Sequence, residues 1–86
     1  MLMALKNDVD KAKFRTAVKI YLKFKGDATA RQISTFINDM DLKIRGEVNP
    51  SVVAKDLMYC SREAKNFLNV KSFRDRTNHM RYYLED

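Results

Sequence analysis

The stretch NFLNVKSFRDRTNHMRYYL, Asn66–Leu84, decides the fold. Leu68 and Val70 alternate with Asn69 and Lys71, and further on Met80, Tyr82 and Leu84 alternate with His79, Arg81 and Tyr83. Alternation marks a strand with one face inward, and two such runs joined by a short polar segment predict an antiparallel hairpin over residues 67–86. Opposed residues of a hairpin share a face. A three-residue loop at Asp75–Thr77 or at Arg76–Asn78 therefore keeps the inward residues together. Either register leaves Arg74, Arg76 and Asn78 at or beside the tip.

Upstream of the hairpin the hydrophobic period is helical. Phe14, Ala17, Val18, Tyr21 and Leu22 recur at the spacing of one buried helix face, predicting a first helix over residues 8–25. Asp8 and Asp10 suit its N-terminus, and Gly26 is a natural stop. Lys11, Arg15, Lys19 and Lys23 fall on its outer side as a basic stripe, which is most simply a solvated face. Thr29-Ala30-Arg31-Gln32 is a capping box that opens a second helix over residues 29–40, with Ile33, Phe36, Ile37 and Met40 as its apolar face. Asp41–Val48 lacks a period and contains Gly46. It reads as a loop tied down by Leu42 and Ile44. Asn49-Pro50 opens a third helix over residues 49–66. Val53, Leu57, Cys60 and Ala64 mark its buried face, and Ser51, Lys55, Tyr59 and Arg62 its outer one. Asp27–Thr29 is placed to add a short third strand to the hairpin.

The 86 residues make one domain, residues 1–86, with an arm at 1–7. A hydrophobic content of 45%, with only two Gly and one Pro, indicates a folded, element-rich chain. Cys60 is the only cysteine, which excludes an intrachain disulfide and a zinc site built of several cysteines, and fits a reducing compartment. The apolar run Met1–Leu5 is too short to span a bilayer and lacks the flanks of a signal peptide. The expectation is a cytoplasmic protein with no membrane association, lying at the nucleoid when bound to DNA. The net charge of +6 suggests a polyanionic partner. Residues 1–25 carry +5, residues 26–48 carry −1, and residues 49–66 and 67–86 carry +1 each.

Helix, helix, helix, hairpin is the order of an α+β domain in which three helices are closed by a small sheet. With ATARQISTFI as the second helix, NPSVVAKDLMYCSREAK as the third and NFLNVKSFRDRTNHMRYYL as the wing, the chain resembles the winged helix-turn-helix superfamily of DNA-binding domains. The resemblance runs from about Asp8 to Leu84, and the ending RTNHMRYYL looks like the basic tip and aromatic return strand of such a wing. It implies a third helix in the major groove and a wing tip on the adjacent minor groove or backbone. Two departures stand out. The connection Asp41–Val48 is longer than the usual turn of about three or four residues. No long helix follows the wing, so self-association as a homodimer would use helix one and the arm Met1–Leu5.

The expected contacts with double-stranded DNA follow from residue chemistry. Lys55 and Arg62 suit guanine edges or phosphates, Ser51 and Tyr59 suit phosphate oxygens, and Val52 suits a thymine methyl. Asp56 repels phosphate unless a cation pairs with it. Arg74 and Arg76, with Lys71, Asn78 and Arg81 nearby, suit a narrow minor groove. Arg31 and Thr35 join the helix-two N-terminus, whose N–H groups hold phosphate. The plainer readings are a solvated helix face and an ordinary charged turn.

His79 reads as an outward strand residue without further metal ligands nearby, and Cys60 as a small core residue. No Gly-rich phosphate loop or carboxylate pair stands out, so no enzyme activity, metal or cofactor is expected. The function expected is a small transcriptional regulator, whose size and charge suit a viral or plasmid-borne origin. The rival is a winged-helix protein–protein adaptor anchored by Tyr59, Val52 and the arm. RNA binding ranks last because the sequence offers no stacked-aromatic platform.

Overall fold

The computed structural model describes residues 5, 7–44 and 48–85. Most of the expected N-terminal arm, and Gly46 of the expected loop, lie outside the described residues. The elements are α1 (Asp8–Lys25), β1 (Asp27–Thr29), α2 (Ala30–Met40), α3 (Pro50–Tyr59), β2 (Val70–Arg74) and β3 (Met80–Leu84). The domain is α+β, with an antiparallel sheet in the order β1-β3-β2. This arrangement is compatible with a winged-helix-like topology. No described helix is long and apolar enough to cross a membrane.

The helix starts follow their local chemistry. The Asn7 side chain accepts from the N–H groups of Val9 and Asp10, capping α1. Gly26 ends it at φ 90°, a backbone region that only glycine enters without strain. The capping box of α2 is complete: Gln32 N–H donates to Thr29 Oγ1 at 3.2 Å, and Thr29 N–H donates to Gln32 Oε1 at 2.9 Å. Asn49 caps α3 through Val52 N–H, with Pro50 in the first turn. The connection to α3 is tied down by the Asn38 amide, which donates to Val48 O at 3.0 Å, and Leu42 and Ile44 pack against the core as expected.

Phe14, Val18 and Leu22 of α1, Ile33 of α2 and Val53 of α3 form the centre of the core with Cys60. Ala28 of β1, Leu68 and Val70 close it from the sheet side. Tyr21 and Phe36 stack at 4.4 Å between α1 and α2.

Several expectations are corrected. Helix three ends at Tyr59 instead of near residue 66. Arg15, expected in the exposed stripe of α1, is 3% exposed, and Asp56, expected on the outer face of α3, is 2% exposed. Arg15 Nε and Nη2 donate to the two oxygens of Asp56, both at 2.9 Å, and Nη2 also reaches Glu63 Oε1 at 2.9 Å. Nη1 donates to the carbonyls of Lys65 and Asn66. A buried guanidinium must fill its fork, and the chain after Tyr59 turns to supply those acceptors. That turn takes Asn66 to φ 56° and leaves Ala64 exposed, where a buried helical position was expected. Burial pulls the Arg15 pKa down, but the hydrogen bonds that its guanidinium donates to Asp56 and Glu63 outweigh it, and the net displacement is upward.

Val52 is 3% exposed and belongs to the core, so it is not a groove contact or an adaptor anchor. Met40, expected inward, is half-exposed at the end of α2. Leu5, expected in the N-terminal arm as a self-association contact, is buried in the core of its own chain.

Candidate nucleic-acid interface

The hairpin adopts the second of the two expected registers. Val70 pairs with Leu84, Ser72 with Tyr82 and Arg74 with Met80. The loop is therefore Arg76–Asn78, closed by Asp75 N–H donating to His79 O at 2.9 Å and Asn78 N–H donating to Asp75 O at 3.0 Å. Asn78 takes φ 65°, the left-handed position that ends a three-residue hairpin loop and that Asn tolerates. The short strand expected at Asp27–Thr29 is present, with Ala28 opposite Tyr82.

Asp75 organises the tip. Its Oδ1 accepts from the Thr77 hydroxyl at 2.7 Å, from Thr77 N–H at 2.9 Å and from His79 N–H at 3.0 Å. Its Oδ2 accepts from Arg81 at 3.3 Å, and Arg81 also reaches Asp27 at 2.7 Å. The Thr77 hydroxyl, the largest influence, and the backbone of His79 hold the Asp75 carboxyl down at about 2. The Thr77 proton goes to the carboxylate, so the 2.7 Å contact between Thr77 Oγ1 and His79 Nδ1 requires a proton on Nδ1. His79 is thereby a brace of the turn. Arg74 donates to the Asn78 carbonyl at 3.2 Å and lies within 3.5 Å of its side-chain oxygen, so these two predicted contacts sit together.

On α3 the exposed residues are Pro50, Ser51, Lys55, Met58 and Tyr59, with Ala54 half-buried among them. Arg62 lies just past the helix end, its guanidinium 6.0 Å from the Tyr59 ring centre. Two clefts open between these helices and the inner face of the hairpin. One, of about 510 Å³, has Met58, Ser61 and Arg62 on one wall and Lys71, Ser72 and Tyr82 on the other. The second, of about 480 Å³, lies between Arg31 and Gln32 of α2 and His79, Met80 and Tyr82 of β3. Both are lined by Ala54, Met80 and Tyr82, so they join into one trough from the start of α2 to the end of α3. Burial raises the Tyr82 pKa, leaving its hydroxyl as a neutral donor there.

The trough brings Arg31, Arg62 and Lys71 together. Ser51, Lys55 and Tyr59 stand on the exposed face of α3, and Arg74, Arg76 and Asn78 stand at the hairpin tip. Thr35 lies beside them, outside the trough itself, in a depression with Tyr21, Phe36 and Asp39 that Arg31 and Gln32 also line. Met58, Ala54 and Tyr82 were missed as trough residues. The signal for the first two is that they lie seven and three positions after Ser51, on its side of the helix.

Charge pairing sorts the cations. Lys11, Arg15, Lys43, Lys65 and Arg81 are each in an ion pair. Arg31, Lys55, Arg62, Lys71, Arg74 and Arg76 are exposed and make none with a described residue, and the same holds for Lys13, Lys19, Lys23 and Lys25 of α1. Cys60 is fully buried, its Sγ–H directed at Leu57 O at 3.4 Å, and burial pushes its thiol up to about 11. Among the described residues no three His, Cys, Asp or Glu side chains converge as metal ligands. No known protein family, curated protein or solved structure matches this chain.

Proposed function

We propose that this chain is a winged-helix protein that binds double-stranded DNA and acts as a small transcriptional regulator. In this reading Ser51, Lys55 and Tyr59 of α3 face the major groove. Arg31, Arg62 and Lys71 hold phosphates along the trough, and Arg74 and Arg76 reach the adjacent groove or backbone. The observation that carries the reading is that unpaired cations from α2, α3 and the hairpin lie along one trough, the neighbouring α3 face and the hairpin tip, whereas the other unpaired described cations all belong to α1. All six cations assigned to DNA are exposed and without a described carboxylate, whereas Asp56 and Asp75, the acids that would repel phosphate, are occupied by Arg15 and Arg81.

The test is fluorescence anisotropy of a random duplex over a range of salt. Phosphate contacts by Arg31, Arg62, Lys71, Arg74 and Arg76 correspond to a log–log salt slope of about −4.5. Arg74→Gln with Arg76→Gln should reduce that slope by about 2, and Lys55→Ala or Arg62→Ala should weaken binding. Full affinity and an unchanged slope in all these variants would sink the proposal.

A protein–protein adaptor is the second reading. It is favoured by Met58, Tyr59 and Met80, which expose apolar surface on the same side as the cations. Absence of salt-sensitive binding to duplex at micromolar protein would favour it.

A further inference from the structure

A second face of the molecule is unaccounted for by DNA. The solvent side of α1 carries Val9, Ile20 and Phe24, which are 60%, 58% and 82% exposed. With Lys13 and Thr16 they fall on one stripe at helical spacing. Beside the stripe lies an apolar groove of about 390 Å³, floored by Ala12, Thr16 and Ala17 and walled by Ile20, Met40 and Leu42. The unexpected exposure of Met40 belongs to this groove.

We propose that the stripe binds a second copy of the chain, with the two α1 helices antiparallel about a two-fold axis between Thr16 and Ala17. The stripe is self-complementary about that midpoint. Val9 and Phe24 lie equally far from it, as do Lys13 and Ile20, so each Val9 meets the second copy's Phe24. Each Ile20 meets the other copy's Lys13, whose apolar stem joins Ala12 and Thr16 in lining the groove. Charge selects the same direction. The first turn of α1 is acidic, with Asp8 and Asp10, and the last turn is basic, with Lys23 and Lys25. Antiparallel pairing sets acid against base and opposes the helix dipoles favourably, whereas parallel pairing stacks like on like. Asp10 is buried, so the exposed Asp8, which also lies 3.5 Å from Lys65, is the carboxylate that a second copy's Lys23 would share; Lys23 is exposed and has no described ion pair. A closed two-fold contact of this kind uses one surface twice. It does not depend on the DNA reading.

Sedimentation equilibrium at moderate salt, from about 1 to 200 µM, should show a monomer–dimer equilibrium. Ile20→Asp and Phe24→Asp lie at exposed positions and should keep the circular dichroism spectrum. Each should weaken the dimer by at least about tenfold. Asp8→Lys and Lys23→Asp should each weaken association, and the two changes together should restore it. Mild oxidation of a mixture of Val9→Cys and Phe24→Cys proteins should give the mixed disulfide over either self-linked product, and Cys60 is too buried to interfere. A monomeric wild type throughout, or dimerisation untouched by Ile20→Asp, would overturn the proposal. Preferential self-linked products would overturn the antiparallel arrangement.

Discussion

Replacing Arg15 with Met should cost more than any surface change in this protein. Arg15 and Asp56 are 3% and 2% exposed and share two hydrogen bonds of 2.9 Å. Met keeps the apolar stem but abandons the Asp56 carboxylate in the core. Leaving a buried charge unpaired costs about 3–5 kcal/mol. A domain of 86 residues holds only about 4–13 kcal/mol in total. One kcal/mol moves the melting temperature by about 4–8 °C at this size, so Arg15→Met should lower it by more than about 12 °C. Glu63 adds little to the penalty, because it is part-exposed and retains Lys11 at 3.3 Å. The double variant Arg15→Met, Asp56→Leu removes both charges and should recover at least about 2 kcal/mol of the loss. Urea unfolding followed by far-UV circular dichroism measures all three proteins. If Arg15→Met lies within about 1 kcal/mol of wild type, or if the double variant is no better than the single one, the buried ion pair is not what holds α1 to α3.

Other outcomes follow from single residues. Asp75 titrates at about 2 when folded, below its ordinary 3.8, so its contribution is present above that ordinary value and lost as pH falls toward 2. The Thr77 and His79 amide resonances should shift over that acid range, and Asp75→Asn should abolish the transition. Gly26→Ala meets no atom within 4 Å but must hold φ 90°, so a loss of about 1–3 kcal/mol should appear in urea unfolding as pure backbone strain. Cys60, with its thiol pushed up to about 11, should react with an aromatic disulfide at neutral pH only as fast as the domain opens, and rapidly once urea unfolds it.

The helix starts and the hairpin were legible because their signals are local. A capping box closes within four residues, and an Asn-Pro start or a glycine stop acts on the adjacent peptide groups. The hairpin register was also legible in principle. Of the two loops, only Arg76–Asn78 puts an Asn at the left-handed position. Arg15 was not legible, because its spacing from Lys11, Lys19 and Lys23 is that of any solvated stripe. Its partner lies 41 residues away, and only the oddity of Asp56 among the cations of α3 hinted at it. The end of α3 was misjudged for the same reason: the demands of a distant guanidinium overrode the local periodicity. Val52 was misassigned because the buried arc of α3 is wide enough to include both Val52 and Val53. Within the candidate interface, residue types were readable one at a time, but the trough exists only because the register brings Tyr82 and Met80 opposite Ala54.

The strand order β1-β3-β2 leaves β2 on the margin of the sheet, with a row of backbone groups that another strand can pair with. Lys71 and Arg74 sit on that margin, and like charge there deters two molecules from joining edge to edge. A polyanion that neutralises these two residues removes the deterrent while it is bound. On the proposed DNA reading, colloidal behaviour should therefore depend on stoichiometry: clear solutions of free protein, clear solutions with nucleic acid in excess, and turbidity near charge equivalence, where molecules would crowd along one duplex with their margins unguarded.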